Sequence, residues 1–446
     1  MRRLAFACGA AVAAALVFGG TSRGGFPGAV VGLAALPLAI LLFDDPKEWM
    51  RGRMAALALV ALAVATPLLQ LVPLPPSLWS SLPGRRPLVE TYGAAGLALP
   101  WLPVSVGPYA TERAVFALLT GVVIFLGALA CRREERRMLL ALALVIGGGS
   151  ALLEFLQIID GPDSALRFYR PSDGNVGVGL FANRNHAAAM LYCMIPIAAV
   201  VFDPGRSRRP MLSLAALGGY DLMIVLGLMM TGSRSALIFG CAALIVSSVA
   251  ISRESVAPLL ADGRRMALFA LAGLGLVAAL LAPAFGLTHI LDRLVTQEAG
   301  AGDRVTLARV SFEAARSFFP IGSGLGTFER VYPLFEPREA IAAAIINHAH
   351  DDVLELALET GVLGVALVAG ALALAIHCVA RNRSEPDAGL RRERDAAAIV
   401  LALLFLHSLL DYPLRMPALA ALFALCAATL CKALDDRRRG RGHASG

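Results

Sequence analysis

The sequence predicts an all-α, polytopic membrane protein, a helical bundle of about twelve transmembrane helices. Of its 446 residues, 57% are hydrophobic and 16% are charged, whereas soluble domains carry about a quarter charged residues. The mean hydropathy is +0.69. Apolar runs of roughly 20 residues, the length that crosses a bilayer, recur from Leu4 to the end of the chain.

Apolar windows place the twelve spans and divide the chain. Helices 1 to 9 fall within residues 1–284, a large outer loop covers 285–351, three further helices lie within 352–434, and a basic tail covers 435–446. The first window follows Arg2 and Arg3 and has the form of a signal peptide. Because the rest of the chain also spans the membrane, a retained first span is preferred. The windows are 4–20, 28–43, 54–73, 112–131, 137–159, 185–202, 210–230, 234–251, 265–284, 352–379, 395–411 and 414–434.

The distribution of basic residues predicts the orientation. If the N-terminus is cytoplasmic, the cytoplasmic segments hold 25 of the 40 Lys and Arg residues, as the positive-inside rule expects. Both termini are then cytoplasmic, and three substantial loops face outward: 74–111, 160–184 and 285–351. The short cytoplasmic loops leave little room for a site, so function is expected on the outer face.

Composition also excludes several classes of function. The net charge of +7 sits in short clusters between apolar runs, so it indicates topology rather than a nucleic-acid partner. The seven cysteines lie within or at the ends of apolar runs and form no CxxC pair, which disfavours disulfides and thiolate metal sites. Neither Lys47 nor Lys432 follows a glycine, so the chain has no phosphate-binding loop of the ATPase kind. No cofactor is predicted.

The large outer loop contains one clear helical pattern. Between Arg304 and Phe319 the apolar and polar residues alternate with helical spacing, which predicts an amphipathic helix at the membrane surface, with Leu307, Val310, Phe312 and Ala315 as its apolar positions. Pro320 ends this helix. Gly322–Gly326 then predicts a flexible turn rather than a dinucleotide-binding loop, because a helix and not a strand precedes it.

Arg234 lies in the sequence Thr231–Ala236, which joins two long apolar helices and places the guanidinium at or near membrane depth. Such a charge costs a few kcal/mol unless it is paired or solvated. Two interpretations are open: a snorkelling anchor, or a permanently charged donor for phosphate oxygens.

His348 and His350 lie directly before the apolar run that starts at Val353. A histidine that titrates near neutrality is suited to act as a general base toward a sugar hydroxyl. Two alternatives are a helix cap formed with Asp351 and a zinc site completed by neighbouring acidic residues and His186. Nothing in the spacing requires the zinc site, so no metal is predicted.

These motifs together resemble those of the O-antigen ligase and polymerase superfamily. They are Thr231–Ala236, Gly302-Asp303-Arg304 with the helix that follows, Pro320–Phe328, and His348–Asp352 with Leu354, Glu359, Gly361 and Gly364. Their order matches, as does a large outer loop between the ninth and tenth spans. The resemblance covers roughly residues 170–435 and includes His407–Leu414.

The resemblance implies a fold like that of GT-C glycosyltransferases and assigns roles to site residues. Arg234 and Arg304 would bind the diphosphate of an undecaprenyl-linked glycan, and His350 would activate the acceptor. Secondary candidates are Arg184, Arg309, His348 and Asp351. The chain departs from the family at Asp351, where asparagine is common. A carboxylate there would either raise the basicity of His350 or weaken anion binding.

The implied activity is transfer of a glycan from an undecaprenyl-diphosphate donor to a hydroxyl of lipid A core, a growing glycan or a protein. It would be inverting and metal-independent, on the periplasmic side of the bacterial inner membrane. Alternatives are a repeat polymerase, a protein O-oligosaccharyltransferase, or, in a different class, a lipid-glycan transporter. Transporters tend to place charges at mid-membrane in paired repeats, whereas the polar residues here gather at the outer rim, which favours an enzyme.

Overall fold

The computed structural model describes residues 2–22, 25–44, 53–169, 176–252, 300–338, 345–381 and 385–443, with isolated positions 256, 341 and 383. The described chain is helical apart from one short antiparallel pair of strands, β1 (Pro73–Leu74) and β2 (Leu102–Pro103). The helices are α1 (Arg3–Phe18), α2 (Phe26–Asp44), α3 (Met54–Gln70), α4 (Pro76–Trp79), α5 (Arg86–Ala94), α6 (Pro108–Ala130), α7 (Arg133–Asp160), α8 (Arg184–Val201), α9 (Pro210–Met230), α10 (Arg234–Ser247), α11 (Gly300–Phe318), α12 (Phe328–Val331), α13 (Asp352–Arg381), α14 (Ala388–Ser408) and α15 (Pro417–His443).

The all-α membrane class is confirmed. Within the described ranges, seven helices are long and apolar enough to cross a membrane, namely α2, α6, α7, α8, α9, α10 and α13. Shorter apolar helices are α1, α3 and the Pro417–Cys431 part of α15. The predicted span 265–284 and the start of the outer loop lie outside the described residues, so the count of twelve and the domain boundaries stay predictions.

Helix α8 is the centre of the bundle. Every side chain from His186 to Val200 is buried, and α7, α9, α10 and α14 all contact this helix. Three successive alanines, Ala187 to Ala189, let the neighbouring helices approach closely. Because α8 is enclosed on all sides, the polar residues of its first turn are held at the middle of one end of the bundle.

The opposite end of α8 lies near a cluster of ion pairs. Arg2 Nη2 lies 2.7 Å from Glu135 Oε2, and Arg133 Nε lies 3.1 Å from Glu393 Oε1. Arg392 also pairs with Asp203, just beyond the end of α8. These contacts join four of the segments that the sequence assigns to the cytoplasmic side.

The loop 74–111, predicted to face outward, is a folded unit. The indole Nε1 of Trp79 donates to the carbonyl of Pro100 at 2.8 Å and closes the loop on itself. Arg85 is 2% exposed, its guanidinium lies 5.2 Å from the ring centroid of Phe318, and it donates to the carbonyls of Val104 and Gly322. Burial lowers the pKa of Arg85 to about 10. The loop is therefore fixed against α11 and the turn that follows it.

The predicted amphipathic helix is confirmed as α11, with one difference. Its buried positions include Leu307, Val310 and Ala315. Phe312, predicted for the same face, is 61% exposed instead. It lies two residues after Val310, about 200° around the helix, so it points away from α13, against which α11 packs.

The predicted glycine turn is docked into a break in α13. Val362 N donates to Pro320 O at 2.9 Å, and Gly324 N donates to Glu359 O at 2.9 Å. At the break, Gly361 has φ +59°, and a Cβ there would lie 2.0 Å from Pro320 O, so only glycine fits. The turn therefore attaches the segment that contains α11 to the bundle.

Candidate active site

Four chain segments meet where long helices begin or end, at the end of the bundle opposite the ion pairs. They are the first turn of α8, the turn between α9 and α10, residues 347–351 before α13, and residues 411–415 after α14. Polar side chains at helix ends can pair with each other and with free backbone groups, so this is where a membrane bundle can hold a polar site.

His350 and Asp411 form the central pair of the site. Nδ1 of His350 lies 3.0 Å from Oδ1 of Asp411, whose side chain is 1% exposed. Asp411 Oδ1 also accepts the backbone N–H of Tyr412 at 3.0 Å, and Oδ2 accepts Asn185 Nδ2 at 2.7 Å. Nε2 of His186 lies 3.8 Å away, too far for a hydrogen bond. Burial opposes the charge on Asp411, but His186 and His350 outweigh it and hold its pKa well below the usual range.

This pairing determines the tautomer of His350. An ionised carboxylate only accepts hydrogen bonds, so Nδ1 must carry the proton and the lone pair of the neutral ring lies on Nε2. The His350 side chain is 29% exposed, which leaves it accessible. Among the described residues it is the one non-glycine with positive φ, at +53°. Such strained backbone is found preferentially at functional sites.

A second histidine is held in the same way. Nδ1 of His348 lies 2.9 Å from Oε1 of Glu355, and the backbone N–H of Ala349 donates to Oε2 at 2.8 Å. Tyr412 lies between the imidazoles: its ring centroid is 4.2 Å from that of His348, 4.9 Å from that of His350 and 4.8 Å from that of His186. Burial raises the pKa of Tyr412 to about 12, so its phenol stays neutral at physiological pH.

Arg415 balances a group of carboxylates beneath the histidines. Its guanidinium lies 2.9 Å from Glu359, 3.3 Å from Glu355 and 3.4 Å from Asp352. Burial disfavours the charge of Arg415, but the three carboxylates outweigh it and raise its pKa. Arg415 therefore fixes Glu355, which in turn fixes His348.

The two predicted diphosphate ligands are exposed residues at or near the starts of α10 and α11. Arg234 is exposed at the first position of α10, and Ser233 before it donates from Oγ to Asn185 Oδ1 at 2.7 Å, which links this turn to Asp411. Arg304 is exposed near the start of α11, close enough to the buried His407 for its charge to act on that ring. His407 lies one turn before Asp411, since Asp411 N donates to His407 O at 2.9 Å.

The remaining predicted site residues are Asp351, Arg184 and Arg309. Asp351 caps α13, because its Oδ1 accepts from the backbone N–H groups of Val353 and Leu354, both at 2.9 Å. His350 itself takes Asp411 as its carboxylate partner. Arg184 is half-buried at the first position of α8, and Arg309 is exposed on α11.

The carboxylates that the zinc alternative requires are engaged elsewhere. Asp351 binds the helix N-terminus, and Asp352 accepts from Ser408 Oγ at 2.9 Å and Leu414 N at 3.2 Å. No group of three or more His, Cys, Asp or Glu residues is arranged to hold a metal ion within the described parts of the chain.

Several polar residues that surround the predicted histidines have no role in the sequence-based predictions. Glu355 and Glu359 stand within an apolar span, and intramembrane carboxylates are a recognisable functional signal. Asp411 and Tyr412 lie in the segment His407–Leu414, for which the family resemblance implies no specific role. No sequence signal assigned a role to Asn185 or Arg415.

The helices and this polar end define a polytopic membrane protein with carboxylate-bound histidines where its spans end. Residues 219–369 match the family described as O-Antigen ligase. The match confirms the resemblance to the O-antigen ligase and polymerase superfamily over these residues. It runs from α9 into α13 and includes Arg234, Arg304 and His350, but it is narrower than the 170–435 predicted and leaves out Asp411. Among curated proteins, none matches.

Proposed function

We propose that the chain transfers a glycan from an undecaprenyl-diphosphate-linked donor to an acceptor hydroxyl. The observation that carries this proposal is the 3.0 Å contact between His350 Nδ1 and Asp411 Oδ1. A neutral imidazole with its proton on Nδ1 presents Nε2 as a base, and the buried carboxylate stabilises the imidazolium that forms. The family match over residues 219–369 supports the same class of chemistry.

The transfer is a single displacement at the anomeric carbon. Nε2 of His350 takes the acceptor's proton as the hydroxyl oxygen bonds to that carbon, and the bond from carbon to the diphosphate oxygen breaks. The electron pair leaves with the undecaprenyl diphosphate, and attack opposite the leaving group inverts the configuration. The donor's own diphosphate supplies the driving force, so ATP is not required.

Arg234 and Arg304 are assigned to the departing diphosphate. Both side chains are exposed, and they lie on different helices, α10 and α11. Guanidinium groups bind phosphate oxygens through paired hydrogen bonds and stabilise charge that develops as the leaving group departs. In this mechanism two fixed positive charges do the work for which other glycosyltransferases use a metal ion.

We place the site on the periplasmic face of a bacterial inner membrane, with both termini in the cytoplasm. The support is geometric: α8 begins at the site with Arg184 and ends at Val201, beside the ion pairs that join the predicted cytoplasmic segments. A helix of 18 residues separates the two ends by about 27 Å, close to the thickness of the hydrocarbon core.

The test uses purified protein in lipid nanodiscs with a synthetic polyprenyl-diphosphate sugar and a hydroxyl acceptor. We expect acceptor glycosylation with stoichiometric release of polyprenyl diphosphate, inverted anomeric configuration, and unchanged rates in a chelator. Donor movement across liposomes without bond cleavage would indicate a transporter instead.

The acceptor is identified in a deletion strain. Loss of a ligase leaves long glycan chains on the undecaprenyl carrier, and loss of a polymerase leaves single repeats there. We expect long chains. Loss of glycosylated protein with normal lipid A would assign the chain to protein O-glycosylation.

A further inference from the structure

Asn185 connects two parts of the site that lie on different helices. Its Nδ2 donates to Asp411 Oδ2 at 2.7 Å, and its Oδ1 accepts from Ser233 Oγ at 2.7 Å. Ser233 Oγ also lies 2.7 Å from Ser235 Oγ, so a continuous chain of hydrogen bonds encloses the position of Arg234. The backbone of Asn185 is fixed as well, because its N–H donates to Asn183 Oδ1 at 2.7 Å.

The chemistry of the partners fixes the orientation of the Asn185 amide. Ionised Asp411 only accepts, so the NH2 group of Asn185 must face it. The amide oxygen then faces Ser233, whose hydroxyl donates. Asp411 Oδ1 is already occupied by His350 and the backbone of Tyr412, and Asn185 is the partner of Oδ2. No other common side chain of this size offers both a donor and an acceptor in this arrangement.

We propose that Asn185 is a positioning residue that couples the diphosphate-binding turn of Arg234 to the His350–Asp411 base. One amide holds the carboxylate at the position from which it orients His350. The same amide holds the Ser233–Ser235 turn from which Arg234 projects. This inference rests on the proposed function, since it concerns how that site is assembled.

The sharpest test is Asn185→Asp, which keeps the side-chain shape and the acceptor toward Ser233. It places a second carboxylate against Asp411 Oδ2, and two carboxylates at about 3 Å share a proton, which raises one of their pKa values strongly. The charged and titratable groups that face Asp411 from the surrounding elements are His186, His350, His407, Tyr192 and Tyr412, with Arg304 beyond His407. None of the histidines changes in this variant.

We expect the acid limb of the kcat/KM profile to move upward by about one pH unit or more. At neutral pH, kcat should fall by about 10²-fold because the base is misplaced. Gln157→Glu is the matched control: Gln157 is a buried amide that bonds only backbone groups, at Leu166, Val178 and Gly179. It should lower thermal stability and leave the pH profile in place.

A wild-type pH profile in active Asn185→Asp protein would overturn the inference. If that variant does not fold, a cycle of Asn185→Ala, Ser233→Ala and the double variant replaces it. We expect the double variant to be no slower than the slower single variant, and multiplicative losses would overturn the coupling. If wild-type protein transfers no glycan, the proposed function fails instead, so the two failures are distinguishable.

Discussion

Replacing Asp411 with asparagine changes one oxygen to an amide nitrogen at the residue that orients His350. The asparagine has two possible orientations. With its oxygen toward His350, the Nδ1 proton is kept, but the negative charge that stabilises the imidazolium is lost, and Asn185 must rotate its amide to accept from the new NH2 group. With its NH2 group toward His350, Nδ1 must become the acceptor, and the proton moves to Nε2. Either orientation damages the base.

The size of the effect follows from the lost base and the lost charge. General base catalysis contributes about 10²- to 10⁴-fold, so transfer by Asp411→Asn should fall by that factor, or roughly 3 to 5 kcal/mol of barrier. Hydrogen bonds to a buried charged group each contribute about 1.5 to 3 kcal/mol, so the stability should fall by about that amount. The loss of rate should therefore greatly exceed the loss of folded protein.

The assay is single-turnover transfer by purified protein in nanodiscs, with thermal unfolding measured on the same preparation. Asp395→Asn is the control, because Asp395 lies on α14, the helix that precedes Asp411, and pairs with the neighbouring Arg394. The control should transfer at the wild-type rate. A rate for Asp411→Asn within about threefold of wild type would show that Asp411 does not set the state of the base, because loss of general base catalysis lowers the rate by at least about 10²-fold.

Three further effects are expected. Arg415→Met leaves three buried carboxylates uncompensated and should lower stability by about 3 to 5 kcal/mol, measured by denaturant unfolding in detergent; a change below about 1 kcal/mol would contradict the charge balance. Gly361→Ala should cost more than about 2 kcal/mol because of its φ of +59° and the nearby Pro320 carbonyl, whereas Gly121→Ala, with open space around its Cβ, should be neutral. The pKa of Asp411 is lower in the folded protein than in the unfolded chain, so ionised Asp411 stabilises the fold fully above the unfolded pKa of about 4. This contribution to the free energy of unfolding is lost as pH falls through the folded pKa. Acid unfolding of Asp411→Asn should therefore show a smaller loss of stability with falling pH than wild type.

The sequence predicts the described helices well because lipid permits few alternatives. A segment in hydrocarbon must satisfy its backbone internally, so an apolar run of sufficient length becomes a helix. The break in α13 at Gly361 was not predicted, since it depends on the docked turn at Pro320, which supplies the hydrogen bond to Val362. The folded 74–111 loop was missed for the same reason, because Arg85 is buried only against Phe318 from a distant segment.

The histidines of the candidate site were predictable, and their partners were not. His348 and His350 lie together in the sequence before a span, which marks them by position alone. Asp411 lies 61 residues from His350 and Asn185 lies 48 residues from Ser233, so no spacing rule brings them together. The structure also answers the question about Asp351: its carboxylate caps α13, a role that asparagine fills equally well.

In the proposed mechanism, His350 removes the acceptor's proton during glycan transfer from a polyprenyl diphosphate. The most direct measurement compares His350→Ala with His377→Ala, a change at an exposed histidine of α13, and records single-turnover transfer and donor binding separately. We expect His350→Ala to bind donor and transfer no detectable glycan, and His377→Ala to match wild type. Transfer by His350→Ala at the wild-type rate would contradict the mechanism.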